Sequence, residues 1–334
     1  MKESFRHFEQ NKKVDLIGLG NAIVDILVNV EDEFLEINNL DKGSMNLINS
    51  DESQALLENC KVIKRISGGS SANTVVCLAQ LGNYVQFIGR VKNDQFGNFF
   101  SSDIKKSKTI FNTPPTSEGA STAHSIVLIT PDAQRTMCTY LGASIEFEQK
   151  DIDFSVIKKS KYLYLEGYLW DSELAKNAFL KAAQIAKLSN TKIILSLSDS
   201  FCVDRHRKSF LELIDNYVDI VFCNKSEVLS LFEKDKLANC HEDLSSLCEL
   251  VVVTLGSNGS LIFNKNNVEV IKSIMKEKII DTTGAGDIYA GGFIHGLLKN
   301  YSLKKCGEIG SICAGQIITQ LGSRSNVDLG ELIR

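Results

Sequence analysis

No Cys-x-x-Cys pair occurs among the nine cysteines, an odd number scattered from Cys60 to Cys313. That pattern argues against a zinc site or a disulfide framework. Cys77 and Cys223 sit inside apolar segments, as buried reduced thiols do. No long Lys/Arg block appears and the net charge is -4, so nucleic acid and anionic membrane surfaces have no electrostatic support as partners. Long apolar runs are missing as well. Leu16 to Val30 is interrupted by Asn21, Asp25 and Asn29, which argues against a membrane span. Met1 to Lys13 is polar and charged with no apolar core segment, so no signal peptide is expected and a reduced cytoplasm is the default location. The Gly-x-x-x-x-Gly-Lys-Ser/Thr phosphate loop is absent, and Asp204-Arg205-His206-Arg207 is only superficially like a protein-kinase catalytic loop. None of the five histidines forms a His-x-x-x-His pair, leaving a metal hydrolase without support.

What is present is a core of ample size and a concentrated signal near the C-terminus. The 334 residues are 43% hydrophobic, enough for one large α/β domain with an appendage or for two ordinary domains. Asp281-Thr282-Thr283-Gly284-Ala285-Gly286-Asp287 leads directly into the apolar run Ile288 to Leu298, where Ala290, Phe293, Ile294, Leu297 and Leu298 recur at helical spacing. The glycines bring bare backbone N–H groups together at a helix N-terminus, which attracts anions. A carboxylate, Asp287, stands beside that anion hole. A base next to amides that hold negative oxygens suits phosphoryl transfer to a hydroxyl. Capping explains a lone Gly-x-Gly before a helix equally well, but not the whole run.

The run closely resembles the signature of the ribokinase-like (PfkB) family of sugar and nucleoside kinases. The resemblance implies that Asp287 is the catalytic base and that Gly284, Ala285 and Gly286 form the anion hole. Further motifs follow the family's order from Val14 to about Ser325. Gly20-Asn21-Ala22-Ile23-Val24-Asp25 follows the first strand, where open α/β sheets bind ligands. Ile23 stands where a dinucleotide fingerprint needs its third glycine, which disfavours a nicotinamide enzyme. Asp25 in an apolar strand is expensive to bury unpaired. The resemblance implies that it binds substrate hydroxyls, assisted by Asn21. Gly68-Gly69-Ser70-Ser71-Ala72-Asn73 matches the family's Gly-Gly-x-x-x-Asn. There the diglycine is a hinge for lid closure and the Asn contacts the sugar, while plain N-capping by Ser70 is the competing explanation.

Gly89-Arg90-Val91-Lys92-Asn93-Asp94 resembles a further family segment, with Lys92 in place of a small residue; Asp94 reads as a turn and cap residue. Asn224-Lys225-Ser226-Glu227 resembles the Asn-x-x-Glu motif, which implies ATP contact at Asn224 and magnesium held through water by Glu227. Thr254-Leu255-Gly256-Ser257-Asn258-Gly259 resembles the nucleotide turn, implying ATP contacts at Thr254, Gly256 and Gly259 in addition to Gly286. Cys313 to Ser325 resembles the helix and loop along the adenine pocket. Asp281, Thr283 and Ser325 fall where some family members hold a monovalent cation such as potassium. Glu166 aligns with an acidic sugar-contact position.

Strand-like runs at Val14–Gly18, Val85–Val91, Tyr162–Leu165, Lys192–Ser196, Val218–Cys223 and Leu250–Thr254 alternate with helical spacing over Ser70–Leu81, Gln95–Lys106, Ser172–Leu188, Arg207–Asn216 and Lys305–Leu321. Such alternation predicts a mainly parallel sheet covered on both faces. The expected fold is a three-layer α/β/α sandwich carrying a small β-sheet lid from about 25–48 and 110–141, the whole chain forming one kinase domain. His124–Ile129 and Arg135–Tyr140 read as an antiparallel pair within that lid. The expected reaction moves the ATP γ-phosphoryl group to a primary hydroxyl of a ribosyl substrate. Asn21–Asp25, Pro131–Met137 and Leu165–Trp170 look most like bacterial adenosine kinase-like members, with Tyr168 and Phe201 as candidate walls for a base. A free sugar such as ribose or fructose, and a non-catalytic nucleoside or sugar sensor, remain as alternatives. The resemblance fits a monomer or a homodimer.

Overall fold

The computed structural model describes residues 4–6, 12–132, 134–265, 267–274 and 279–334. Ala133, within the segment Pro131–Met137, and most of Met1–Lys13 fall outside them. Fourteen strands follow one another among the described residues. They are β1 (Val14–Leu19), β2 (Ile23–Asn29), β3 (Met45–Leu47), β4 (Val62–Gly68), β5 (Val85–Ile88), β6 (Ile110–Phe111), β7 (His124–Ile129), β8 (Arg135–Tyr140), β9 (Ser160–Glu166), β10 (Lys192–Ser196), β11 (Ile220–Asn224), β12 (Leu250–Thr254), β13 (Ser260–Asn264) and β14 (Asn267–Ile271).

Nine of them form one sheet in the order β14-β13-β12-β11-β10-β9-β1-β5-β6. From β12 to β6 neighbours pair in parallel, and the pairings of β13 with β12 and β14 are antiparallel. Adjacent residues of the central strands face opposite layers, as the two-residue period of a strand requires. Leu16, Tyr162, Ile194, Ile220 and Val252 pack with Val75, Leu78, Phe293 and Leu297 on one side. Ile17, Leu163, Ile193, Val221 and Val251 pack with Phe179, Ala182, Phe210, Leu213 and Val228 on the other. The strands are therefore apolar throughout because both faces are covered by helices. This is the three-layer α/β/α sandwich that the sequence predicts.

The second sheet is smaller and mixed, in the order β3-β8-β7-β2-β4. It differs from the expected segments in two ways. Ile110–Phe111 belongs to the large sheet, because Phe111 is needed against Phe87 and Phe100, whose ring centroids lie 6.0 and 5.3 Å away. Val62–Gly68, outside both expected segments, pairs antiparallel with β2 and closes the sheet's edge. That strand runs straight through Gly68 into the helix Ser70–Gln80, so the small sheet and the large domain are joined at the diglycine.

Helix boundaries follow their caps. Gln95–Lys106 is capped by Asp94, whose carboxylate accepts from the Gly97 N–H at 2.8 Å. The helix expected over Arg207–Asn216 begins at Ser200, because Asp199 caps it through the Cys202 N–H at 2.6 Å. Among the described residues no helix is long and apolar enough to cross a membrane.

Candidate active site

The ends of β9, β10, β11 and β12 meet the loop 281–284, the start of the helix Ser70–Gln80 and the start of the helix Ala285–Leu298. Carboxyl ends of parallel strands are where open α/β sheets take ligands. A cleft of about 370 Å³ lies there, lined by Asp25, Gly69, Asn73, Asn224, Glu227, Thr254, Thr283 and Gly284–Asp287. Motifs from five separate stretches of the chain are thus brought to one place.

Gly284 is the helix N-cap and adopts φ +76°. That left-handed conformation is open to glycine at little cost, and a Cβ there would lie 2.7 Å from the Cβ of Ser323. The turn leaves the amides of Gly284 and Gly286 without an acceptor among the described residues. The Ala285 N–H, by contrast, donates to Thr282 O at 3.1 Å. The expectation that all three residues supply free donors is therefore corrected: tightening of the turn engages the middle one.

Asp287 is in the first turn of this helix. Its Oδ1 accepts from the Ser70 hydroxyl at 2.6 Å and its Oδ2 from Asn73 Nδ2 at 2.9 Å. Asn73 in turn accepts from Ser323 Oγ at 2.9 Å. Burial raises the Asp287 pKa to about 6, against the pull of these two donors and of the Arg324 charge. A carboxylate tuned to that value is ionised at neutral pH and still basic enough to take a proton. One sequence reading changes here. Ser70 is not an N-cap, since Gly69 occupies that place and the Ser70 hydroxyl is turned to Asp287. Asn73 is buried on the cleft wall, with its amide engaged by Asp287 and Ser323.

Asp25, on β2, lines both this cleft and a larger pocket of about 620 Å³ beneath the small sheet. Burial raises its pKa to about 7, opposed by the charges of Arg324 and Arg135. Glu166 ends β9, also on the wall of the larger pocket, and accepts from Asn21 Nδ2 and the Ser71 N–H, both at 2.8 Å. Its pKa too is pushed by burial to about 7. Asn21 and Glu166 therefore act as a pair that ties β1 to the diglycine helix. Met45, Leu47, Met137, Leu141, Ile145, Leu169, Tyr168 and Phe201 line that wall as well, alongside polar side chains that include Asn46, Ser125 and Thr139. Phe201, 73% exposed, stands at its rim. Arg205 is there too, but it grips Asp171 from Nε at 3.0 Å and Nη2 at 2.7 Å.

On the other side the cleft opens into an apolar pocket of about 290 Å³ that shares Thr254, Thr282, Ala285 and Gly286 with it. Gly256, Gly259, Tyr289, Ile274, Ala314 and Ile318 are among the other residues that line it. The expected nucleotide turn and C-terminal helix meet here. Asn224 and Glu227 form a reciprocal cap, with Asn224 N donating to Glu227 Oε2 at 2.9 Å and Asn224 Nδ2 to Oε1 at 2.5 Å. Both Glu227 oxygens are engaged, and burial raises its pKa to about 7. Its place on the cleft wall puts Glu227 where a hydrated divalent cation would be reached through water rather than by direct ligation.

Of the expected monovalent-cation set, Asp281 and Thr283 adjoin, the Thr283 N–H donating to Asp281 Oδ1 at 2.9 Å. Asp281 is buried and its Oδ2 lies 2.6 Å from Arg135 Nη1, while Ser325 turns its hydroxyl to Val327 O at 2.9 Å. Arg135 lies within the segment Pro131–Met137, and Ser323 and Arg324 within Cys313–Ser325, but the sequence reading singles out none of the three as a site residue. Arg324 donates to Ser67 O at 2.9 Å and Ala72 O at 3.0 Å, bracketing the diglycine.

An α/β/α sheet and a small sheet enclosing a cleft, with a tuned carboxylate beside open amides, define a kinase of the ribokinase-like class. The family model of the pfkB family carbohydrate kinases matches residues 40–329, and the chain belongs to that family. A probable sugar kinase from Rhizobium etli CFN 42 superposes with TM-score 0.90 at 38% identity, over 96% of this chain and 97% of that one. An adenosine kinase from Sinorhizobium meliloti gives TM-score 0.89 at 40% identity, over 96% and 98%. A 5-dehydro-2-deoxygluconokinase from Geobacillus kaustophilus is 24% identical across 95% of this chain and 91% of its own length.

Proposed function

We propose that this sugar kinase transfers the γ-phosphoryl group of ATP to the primary hydroxyl of a ribosyl substrate, adenosine first among them. The observation that carries the reading is the character of the larger pocket. Its wall joins apolar and aromatic side chains to the carboxylates Asp25, Glu166, Asp171 and Asp199, and its arginine is committed to Asp171. A neutral nucleoside suits such a wall: the carboxylates accept from ribose hydroxyls and the apolar side chains cover a base. A gluconate would bring its own carboxylate into an acidic pocket. The 40% identity to an adenosine kinase favours the same choice over the 24% identity to a gluconokinase.

In this reading Asp25 accepts hydrogen bonds from the ribose, and Asp287 takes the proton of the hydroxyl that attacks phosphorus. The amides of Gly284 and Gly286 face the negative charge that grows on the transferred group. Thr254, Gly256 and Gly259 border the nucleotide. Glu227 and Asn224 hold the hydrated magnesium ion, which when bound neutralises phosphate charge. Closure of the small sheet over the cleft keeps water from becoming the acceptor.

A free-sugar acceptor is the second reading, favoured by the relatives called sugar kinase and gluconokinase. A sensor without turnover is disfavoured, because binding alone gives no reason to keep a carboxylate at about pKa 6 beside open amides. The deciding experiment is magnesium-ATP turnover on adenosine, other nucleosides, ribose, fructose and 5-dehydro-2-deoxygluconate, with Asp287→Asn as control. Turnover on adenosine that disappears in the variant supports the reading. Preference for a free sugar or the gluconate overturns the substrate and leaves the chemistry.

A further inference from the structure

The loop before the anion hole is held by one carboxylate. Asp281 Oδ1 accepts from the Thr283 N–H at 2.9 Å, and Oδ2 from the Gly322 N–H at 2.7 Å. These bonds fix the turn that presents Gly284 and join it to the chain beyond the helix Leu303–Ile317. The carboxylate is almost fully enclosed, its side chain 1% exposed. An enclosed carboxylate needs a positive partner. In this position some ribokinase-like enzymes use a monovalent cation. Here the partner comes from the protein: Arg135, at the start of β8 in the small sheet, places Nη1 2.6 Å from Asp281 Oδ2, its own side chain 11% exposed. A potassium ion on the same oxygen would stand against a guanidinium at contact distance, and like charges that close repel strongly away from water. The hydroxyl of Ser325, expected among its ligands, is directed to Val327 O instead.

We propose that the Arg135 guanidinium does the work of a monovalent cation at Asp281, so that the anion-hole turn of this kinase is held without potassium or sodium. The proposal rests on the kinase reading of the loop 281–287 and not on the choice of acceptor. It has a structural corollary. A diffusible ion would serve the turn alone, whereas an arginine carried by β8 ties the turn to the small sheet. Formation of the anion hole and the position of that sheet are then coupled. Arg135 acts through Asp281 on the backbone, which makes it a positioning residue.

The test compares wild type, Arg135→Met and Arg135→Lys in choline, sodium and potassium chloride at equal ionic strength. Melting temperature, thallium-205 binding and initial rate are read in each. Wild type is expected to melt and turn over alike in all three salts and to bind no thallium. Arg135→Met is expected to lose about tenfold to a hundredfold in rate in choline, the range seen when supporting partners are removed. It should regain rate and melting temperature in potassium only, with thallium binding appearing. Arg135→Lys should fall between, still indifferent to salt. Potassium stimulation of wild type overturns the proposal, as does an Arg135→Met protein that loses nothing in choline or that potassium does not rescue. If Arg135→Met does not fold, the wild-type and lysine comparisons decide alone. Melting and thallium binding need no acceptor, so silence on every acceptor strikes the substrate reading and leaves this one measurable.

Discussion

Gly68 faces the carboxylate of Asp25 so closely that a Cβ built on it would lie 2.4 Å from Oδ2 and 2.7 Å from Cγ. The two sit on neighbouring antiparallel strands, β4 and β2, with Gly68 opposite Ile23. The first glycine of the hinge thus has a second duty: it makes room for the side chain proposed to bind substrate. Gly68→Ala must displace Asp25, whose short side chain has little freedom to yield. The expected result is a rise of about tenfold or more in acceptor KM, with kcat for ATP turnover changed far less. Steady-state kinetics with the acceptor varied checks this. An unchanged KM would remove Asp25 from substrate binding.

The base itself predicts a pH profile. Asp287 must be ionised to accept a proton, and its pKa is raised to about 6. The rate should therefore fall with unit slope as pH drops below about 6. Asp287→Asn should lose about a hundredfold to ten-thousandfold, the usual worth of a positioned base. Asn73→Leu removes a donor that favours the ionised form, so its acid limb should move to higher pH while the plateau survives. A profile unmoved by that substitution would mean that Asp287 does not carry the acid limb.

Arg324 offers an independent handle on the same group. Its guanidinium holds Ser67 O and Ala72 O on either side of Gly68-Gly69, and its charge opposes the raised pKa values of both Asp25 and Asp287. Burial lowers its own pKa to about 10, so it remains charged at neutral pH. Arg324→Met should lower the melting temperature, since two carbonyls lose their donors at about 1 kcal/mol or more each. It should also shift the acid limb of the rate upward. Calorimetry and a pH–rate profile on one preparation separate the two effects.

The contrast between these residues shows what sequence can carry. Asp287, Asp25, Asn224 and Thr254 stand at strand ends or helix starts inside short motifs, so local spacing places them. Arg135, Ser323 and Arg324 act across gaps such as the 250 residues between Ser323 and Asn73, where no local period exists to read. Ser70 and Asn73 lie inside a recognised motif, yet their direction depends on a helix more than 200 residues away. The same holds for the small sheet. β7 and β8 announce themselves as a hairpin, while β4 becomes part of it only through its pairing with β2.

Asp25 also sets stability against function. Its carboxyl is raised from 3.8 to about 7 in the folded chain, mainly by burial. An acid whose folded pKa is raised holds its proton more tightly when folded. Its contribution is therefore neutral below pH about 4 and becomes a full penalty above about 7. Stability due to this group falls as pH rises through that window. Asp25→Asn removes the charge and keeps the shape. At pH 8 it should raise stability by on the order of 1–2 kcal/mol, allowing for partial solvation in an open cleft. At pH 4 it should change little, and acceptor phosphorylation should be lost throughout. Urea titrations at the two pH values measure the difference. Equal gains at both would show that relief of packing, not charge, is the source. A loss at pH 8 would mean that Arg324 and Arg135 stabilise the ionised carboxylate by more than burial opposes it.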